Sequence, residues 1–249
     1  MRSVFNLIAT ISLLCPFVIS ASTQNDESIK VQVHLNDHIR RYTYSPKLSD
    51  VLAPVALQRD WFWPASALYK QQDQAAEQER NEVLAQLKLL TADGNGALSQ
   101  ALSRTSYFIS SWSLATRLNV AIDYDLVRIR PQQNLGFDDG HYMLKLYPRP
   151  QNIEFWGAVD QVVSMPHSGV KTVAAYLPAL NRSAYADMSY VLIIQPDGEI
   201  KRAGVESWNA QHIELMPGSS VFIPFASSLF QDLTPLNEAI ARLARHRVK

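Results

Sequence analysis

The spacing of the apolar residues changes period twice along this chain, and that change restricts the fold more than any single motif does. Ile29, Val31, Val33 and Leu35 alternate with Lys30, Gln32 and His34, the period-two signature of a strand with one buried face. Asn36-Asp37 signals a turn and Ile39 to Tyr44 alternates again, which predicts a hairpin. Leu48 to Leu52 with Val55 fits a short helix started by Ser45 or Ser49, and Trp61 to Leu68 reads as strand again. Then the texture changes. Gln71 to Leu90 is rich in Gln, Glu, Ala and Leu, with Val83, Leu84, Leu87 and Leu90 at helical spacing. Asp93-Gly94-Asn95-Gly96 breaks it. Leu98, Leu102, Thr105, Ile109 and Trp112 form a second stripe, so residues of about 71–113 predict a helical hairpin lodged between strands.

After Arg117 the alternation returns. Val120, Ile122 and Tyr124, then Leu126, Val127 and Ile129, read as strand, and so does Tyr142 to Tyr147 beyond a polar loop. Pro148-Arg149-Pro150 marks a boundary. The second half reads as a strand at Ile153 to Gly157, a further segment at Ala158 to Val163, a short helix from Val170 to Leu177, and a compact apolar strand from Tyr190 to Ile194. Pro196-Asp197-Gly198 and Pro217-Gly218 are turns, the second leading into Val221-Phe222-Ile223. Segregated strands and helices make the fold class α+β. The chain ends in an amphipathic helix with Thr234 as N-cap and Pro235 at its first position. Leu236, Ile240 and Leu243 lie on one side and Arg242, Arg245, His246, Arg247 and Lys249 load the last turns. This stripe is too short to span a membrane; it is expected to pack on its own protein and leave the basic side wet.

The first residues carry their own message. One charge at Arg2, an apolar run from Val4 to Ile19, and the small residues Ser20, Ala21 and Ser22 form the pattern of a cleavable secretory signal peptide covering residues 1–21. The apolar run is short against the ~20 residues of a membrane span. The chain's single cysteine, Cys15, lies inside it behind Leu13-Leu14, so the mature protein has no disulfide and no thiolate for metal or catalysis. An exported mature chain without a membrane span follows. Of the 249 residues 47% are hydrophobic, enough for a sizeable core, and a net charge of zero argues against nucleic acid as a partner.

Enzyme signatures are missing. There is no G-x-S-x-G, H-E-x-x-H, phosphate loop or dinucleotide fingerprint, and nine glycines leave little material for such loops. Asp138-Asp139 are adjacent loop residues and point apart, whereas glycosidase chemistry needs facing carboxylates. Asp123 and Asp125 share a strand face in this reading, unless one starts the turn at Leu126. The six histidines show no metal-ligand spacing. The expectation is a non-enzymatic protein with no cofactor and no metal site. A binding module fits better, because saccharides are held by apolar stacking and a few fixed polar groups.

The stretches "RDWFWPASALY", "ATRLNVAIDYDLVRI", "VLIIQPDGEI" and "VESWNAQHIELMPGSSVFIPF", with the terminal helix, together resemble the capsule biosynthesis GfcC/YjbG family of Gram-negative bacteria. The resemblance covers essentially the whole mature chain; its specificity lies in the ordered set. It implies two tandem β-grasp domains similar to those of outer-membrane polysaccharide export proteins. The first would cover residues 22–149 with the hairpin inserted, the second residues 150–230, and the helix residues 231–249. It implies a periplasmic role in capsule or exopolysaccharide assembly or export, with polysaccharide, outer-membrane export proteins, or both as partners; a monomer is the separate expectation. It implies no reaction.

Three residues stand out as ligand-binding candidates. Arg117, flanked by Leu114, Ala115, Leu118 and Val120, falls where the hairpin rejoins the strands, and the resembled family has an arginine at the matching position. A buried guanidinium needs acceptors for five donors; these are protein carboxylates or an acidic or hydroxyl-rich ligand. Trp61 and Trp63 are the stacking candidates. As strand residues they would share one face, with core or interdomain packing as the alternative use of the rings.

Overall fold

The computed structural model describes residues 28–92, 96–229 and 231–249. The signal peptide, and the Asp93 to Asn95 part of the hairpin turn, lie outside these residues. The strand β1, Val31–Leu35, buries Val31, Val33 and Leu35 as its alternation requires. It turns through Asn36, at φ +49°, into β2, His38–Tyr42. Helix α1 follows at Leu48–Leu52, with Lys47 and not a serine at its N-cap. Trp61, Phe62 and Trp63 are not in a strand. Trp63–Ala65 is a 3-10 turn with Pro64 inside it, and the strand β3 begins only at Ala67, ending at Lys70. Proline's fixed φ suits the start of a helical turn and leaves no N–H for a sheet ladder.

The hairpin consists of α2, Ala75–Ala92, and α3, Ala97–Ser110. The chain returns through β4, Thr116–Arg117. The predicted strand at Leu126 to Ile129 is instead α4, Tyr124–Ile129, because Asp123 caps it: its Oδ1 accepts from Leu126 N at 3.0 Å. β5, Gly140–Lys145, then completes a sheet of order β2-β1-β5-β3-β4, in which only β1 and β5 are parallel. Its core gathers Val31, Leu35, Leu68 and Leu144 under Leu48 and Leu52 of α1 and Val127 of α4.

The second half repeats this plan. β6 (Asn152–Gly157), β7 (Val163–Pro166), β8 (Tyr190–Ile194), β9 (Ile200–Gly204) and β10 (Ser220–Ile223) form a sheet of order β7-β6-β10-β8-β9. Here β6 and β10 are the parallel pair. Counted within each half, both sheets run 2-1-5-3-4. Between β7 and β8 the expected helix is two 3-10 turns, Val173–Ala175 and Leu177–Ala179. The turn joining β8 to β9, at Pro196-Asp197-Gly198, occupies the place that the helical hairpin takes between β3 and β4.

The hairpin interrupts the first sheet but packs on the second. Val83, Leu87, Leu102, Ile109 and Trp112 share one core with Phe155, Trp156 and Phe222. Within that core the end of β6 has no room for a side chain at Gly157: at φ +103°, a Cβ there would lie 2.6 Å from the Phe222 ring. Helix α5, Thr234–Ala244, covers the same core with Leu236, Ile240 and Leu243. Its N-cap is Leu233, and Asp232 supplies the capping oxygen, accepting from Thr234 N at 2.9 Å. Asn237, fully buried, exchanges two hydrogen bonds with the Phe225 backbone at 3.0 and 2.8 Å and ties α5 to the end of β10. No helix of the described residues is long and apolar enough to cross a membrane.

Candidate functional site

Where the two sheets meet, a cleft of about 480 Å³ remains open. One wall is the edge of the first sheet, with Tyr69 on β3 and Arg117 on β4; the other is β6 with Glu154, and the ends of β8 and β10. The crossing segment around Tyr147 and Pro150 and the last residues of the chain also line it. The tail leaves helical geometry after Ala244 and returns along the segment before β4. Ala115 N donates to His246 O at 3.1 Å, Val248 N to Ser113 O at 2.9 Å, and Leu114 bridges Arg247. Tyr69 Oη donates to Arg247 O at 3.2 Å and Tyr147 Oη to Lys249 O at 2.6 Å. The tail is a strap laid beside β4.

This corrects the expectation of a wet basic end. Arg242 stays largely exposed, but Arg245, Arg247 and Lys249 join Arg117 in lining the cleft. Against these four cations the lining side chains offer one carboxylate, Glu154. Arg247 takes it, with Nη1 to Oε2 at 2.5 Å, while its guanidinium carbon lies 5.0 Å from the ring of Phe108 and 5.5 Å from that of Trp112. Arg117 is different. Its Nη2 donates to the backbone oxygen of Pro196 at 2.7 Å, in the β8–β9 turn, and its backbone N–H to His246 Nδ1 at 3.0 Å. Among the described residues no carboxylate pairs with Arg117, Arg245 or Lys249 within 4 Å. Of the two acceptor sets open to Arg117 in the sequence, the protein supplies a carbonyl and no ion-pair partner.

The electrostatics follow from burial and like charge. Burial pushes the Arg117 guanidinium below the usual arginine range; Tyr69 and Asp197 oppose the shift and Arg245 adds to it. The pKa of His246 falls for the same first reason, with Arg245 next. Its Nδ1 accepts a hydrogen bond from the backbone, so the neutral ring carries its proton on Nε2, which faces Glu79 Oε2 at 3.6 Å. Burial raises the Tyr147 phenol to about 12 and raises that of Tyr69, leaving both as neutral hydrogen-bond donors. Lys249 is exposed as a residue, but its ammonium donates to Gly218 O at 3.0 Å, and the protein packed around that group lowers its pKa.

The floor is aromatic and well tied. Trp156 stands edge-on to Trp112 at 5.1 Å and donates from Nε1 to Ser220 Oγ at 2.7 Å. Gln195, almost fully buried, accepts from Ser219 Oγ and from Met216 N and donates to Glu214 O. These bonds fix the β8 and β10 ends, so the cleft is preformed. Two donors along it, Trp112 Nε1 and Arg245 Nε, are buried without a hydrogen-bond partner.

The sequence-level tryptophans lie elsewhere. Trp61 donates from Nε1 to Val55 O at 2.9 Å and packs against the first core. Trp63 also borders that core and lines a second cavity, of about 620 Å³, on the far side of the β8–β9 turn with Asp197, Glu199 and Arg245. The two rings are therefore not one platform with Arg117. The residues that sequence reasoning missed are Tyr69, Tyr147, Glu154 and the tail cations. The dense basic run from Arg242 to Lys249 was their visible signal, but only the returning tail shows where it points. Among the described residues no three His, Cys, Asp or Glu side chains are grouped to hold a metal.

Comparison with known proteins agrees with the division into two sheets. Residues 25–149 match the family described as "Capsule biosynthesis GfcC, N-terminal" and residues 161–249 that described as "Capsule biosynthesis GfcC C-terminal". The chain is also similar to the uncharacterized protein YjbG of Escherichia coli strain K12, with 26% identity over 224 residues, covering 89% of this chain and 90% of that protein. The two matches lie in chain order, the first over the first sheet and the second over the second sheet from β7 onward, and the chain belongs to the capsule biosynthesis GfcC family.

Proposed function

We propose that this chain is a periplasmic accessory protein, without enzymatic activity, in the assembly or export of a Gram-negative capsule or exopolysaccharide, and that it binds the polysaccharide in the cleft between its sheets. Residues 1–21 serve as the signal peptide. Residues 22–149 and 150–230 are two β-grasp units; the shared 2-1-5-3-4 order, with first and last strands parallel at the centre, supports that reading. One observation carries the binding role. The seam between the units stays open as a preformed cleft of about 480 Å³, the size of a small-ligand site, with buried aromatics and fixed polar groups in its walls.

A second reading, docking on an export protein without touching sugar, is favoured by two exposed aromatics that do not line the cleft, Tyr107 and Trp208, at 81% and 77% exposure. The test is genetic. Deletion of the gene should change cell-bound and released polysaccharide, and an Arg117→Ala chain that folds should fail to restore them. Full restoration by that variant, together with no saccharide binding by the purified protein, supports docking instead.

A further inference from the structure

Like charges brought together in a protein interior are matched by counter-charges unless something else needs them there, because each uncompensated cation costs free energy. In this cleft the match is incomplete. Glu154 is committed to Arg247 at 2.5 Å. Arg117, Arg245 and Lys249 share the remaining space with no carboxylate within 4 Å among the described residues. The two arginines approach from different parts of the chain, one from β4 and one from the C-terminal end of α5. Both are held by backbone that is itself fixed: β4 by its pairing with β3, and the tail by its bonds to residues 113 and 115. A guanidinium presents five donors in a planar fork suited to two oxygens of one acid group, and Arg117 spends Nη2 on Pro196 O. Beside Arg117 stand the neutral donors Tyr69 and Tyr147, and Asp197 acts on it only from beyond 4 Å.

We propose that the cleft selects an acidic saccharide unit, one carrying a carboxylate such as a uronate, with Arg117 and Arg245 gripping the acid group and Lys249 at the mouth adding to the field. This deepens the polysaccharide-binding reading and rests on it. A saccharide hydroxyl could be met by the phenols and serines alone; the surplus cations add the preference for charge. The protein as a whole is neutral, so the preference is local and not a general attraction for polyanions. High ionic strength weakens the preference without abolishing it, because a ligand inside a cleft is screened less than one on the surface.

Calorimetric titration of the mature chain with digalacturonate and with its uncharged dimethyl ester tests this, with inorganic phosphate as a third probe. The acid should bind about tenfold or more tightly than the ester, and the ratio should shrink between about 50 mM and about 500 mM salt without vanishing. Arg117→Gln should bring the acid down to the ester's affinity. Lys249→Gln, at an exposed position, should lower the ratio by a smaller factor and guards against a folding defect in the first variant. Equal binding of acid and ester leaves the polysaccharide reading standing and overturns the acidic preference. Binding of phosphate with neither sugar overturns the saccharide assignment, and binding of none of the three overturns both readings.

Discussion

The tail that walls the cleft is clamped by one ion pair, and removing Arg247 from it has a calculable effect. The two side chains of the Arg247–Glu154 pair keep 21% and 25% of their surface. Breaking a fully buried pair from one side costs about 3–5 kcal/mol, because the remaining charge stays dry, whereas exposed pairs are worth about 0–1 kcal/mol. With a fifth to a quarter of each side chain wet, Arg247→Met should cost about 2–3 kcal/mol from the stranded Glu154. Loss of the guanidinium over Phe108 and Trp112 adds about 0.5–1 kcal/mol, for a total of about 3 kcal/mol. For a chain of this size that is a fall in Tm of about 6–12 °C. The assay is thermal and urea unfolding followed by circular dichroism, with Glu154→Gln and the double variant completing a cycle. Glu154→Gln in the Met background should recover about 1–2 kcal/mol, since the stranded charge is then gone. A single-variant cost below about 1 kcal/mol, or no recovery in the double, would show that the pair is not shielded and that the tail is not held as argued.

Three further outcomes are expected. Gly157→Ala places a Cβ against Phe222 and the Ile223 backbone at a φ of +103°; strain and overpacking together should cost about 3–5 kcal/mol in urea unfolding, while Gly136→Ala, with nothing within 4 Å, should stay within about 0.5 kcal/mol. Arg117→Ala leaves the Pro196 oxygen without its donor but strands no carboxylate, so stability should fall by only about 1–2 kcal/mol while complementation is lost; a fall of about 4 kcal/mol would mean that Arg117 is chiefly structural. His246 is held below its ordinary pKa by burial, so the unfolded chain binds the extra proton first, and its contribution to stability is present above about pH 6.5 and lost on acidification through the folded-state value. Glu79, whose pKa burial raises, acts in the opposite sense, and Arg245, Arg117 and Asp73 also bear on the ring. The isolated effect is therefore the difference between wild type and His246→Asn, which keeps an acceptor for Arg117 N: the wild type should lose more stability between pH 7 and about pH 5, and parallel curves would refute it.

Several elements were legible because their local pattern and their environment agree. β1 buries Val31, Val33 and Leu35 of the alternate residues its sequence marks, leaving Ile29 ahead of it exposed, and α2 and α3 bury Val83, Leu87, Leu102 and Ile109 from the predicted stripes. Elsewhere local chemistry overrode the pattern. Leu126-Val127 and Ile129 look like strand by composition, but the Asp123 side chain satisfies the Leu126 N–H and starts a helix. Trp61 and Trp63 look like alternate strand residues until Pro64 takes the chain into a 3-10 turn. What the hairpin packs on could not be read at all: an amphipathic stripe says that one face is buried, not that the second sheet buries it. The candidate site divides in the same way. Arg117 was visible as a cation set among apolar neighbours, whereas Glu154, Tyr69 and the tail cations meet only through contacts between residues far apart in sequence, such as Tyr69 with Arg247.

The central claim, that the open seam between the sheets is where the saccharide sits, is tested most directly by ¹H–¹⁵N NMR titration of the mature chain with the purified polymer's oligosaccharide fragments, read at the indole and arginine Nε–H signals. The five tryptophans are well dispersed for this purpose: Trp112 and Trp156 line the cleft, Trp63 lines the second cavity, Trp61 borders the first core, and Trp208 is exposed and lines neither cavity. Saccharide in the seam should give saturable shifts of the Trp112 indole and the Arg117 Nε–H, with Trp61 and Trp208 unmoved. Saturable shifts confined to Trp208 or Trp63, with the Trp112 and Arg117 signals unchanged, would contradict it.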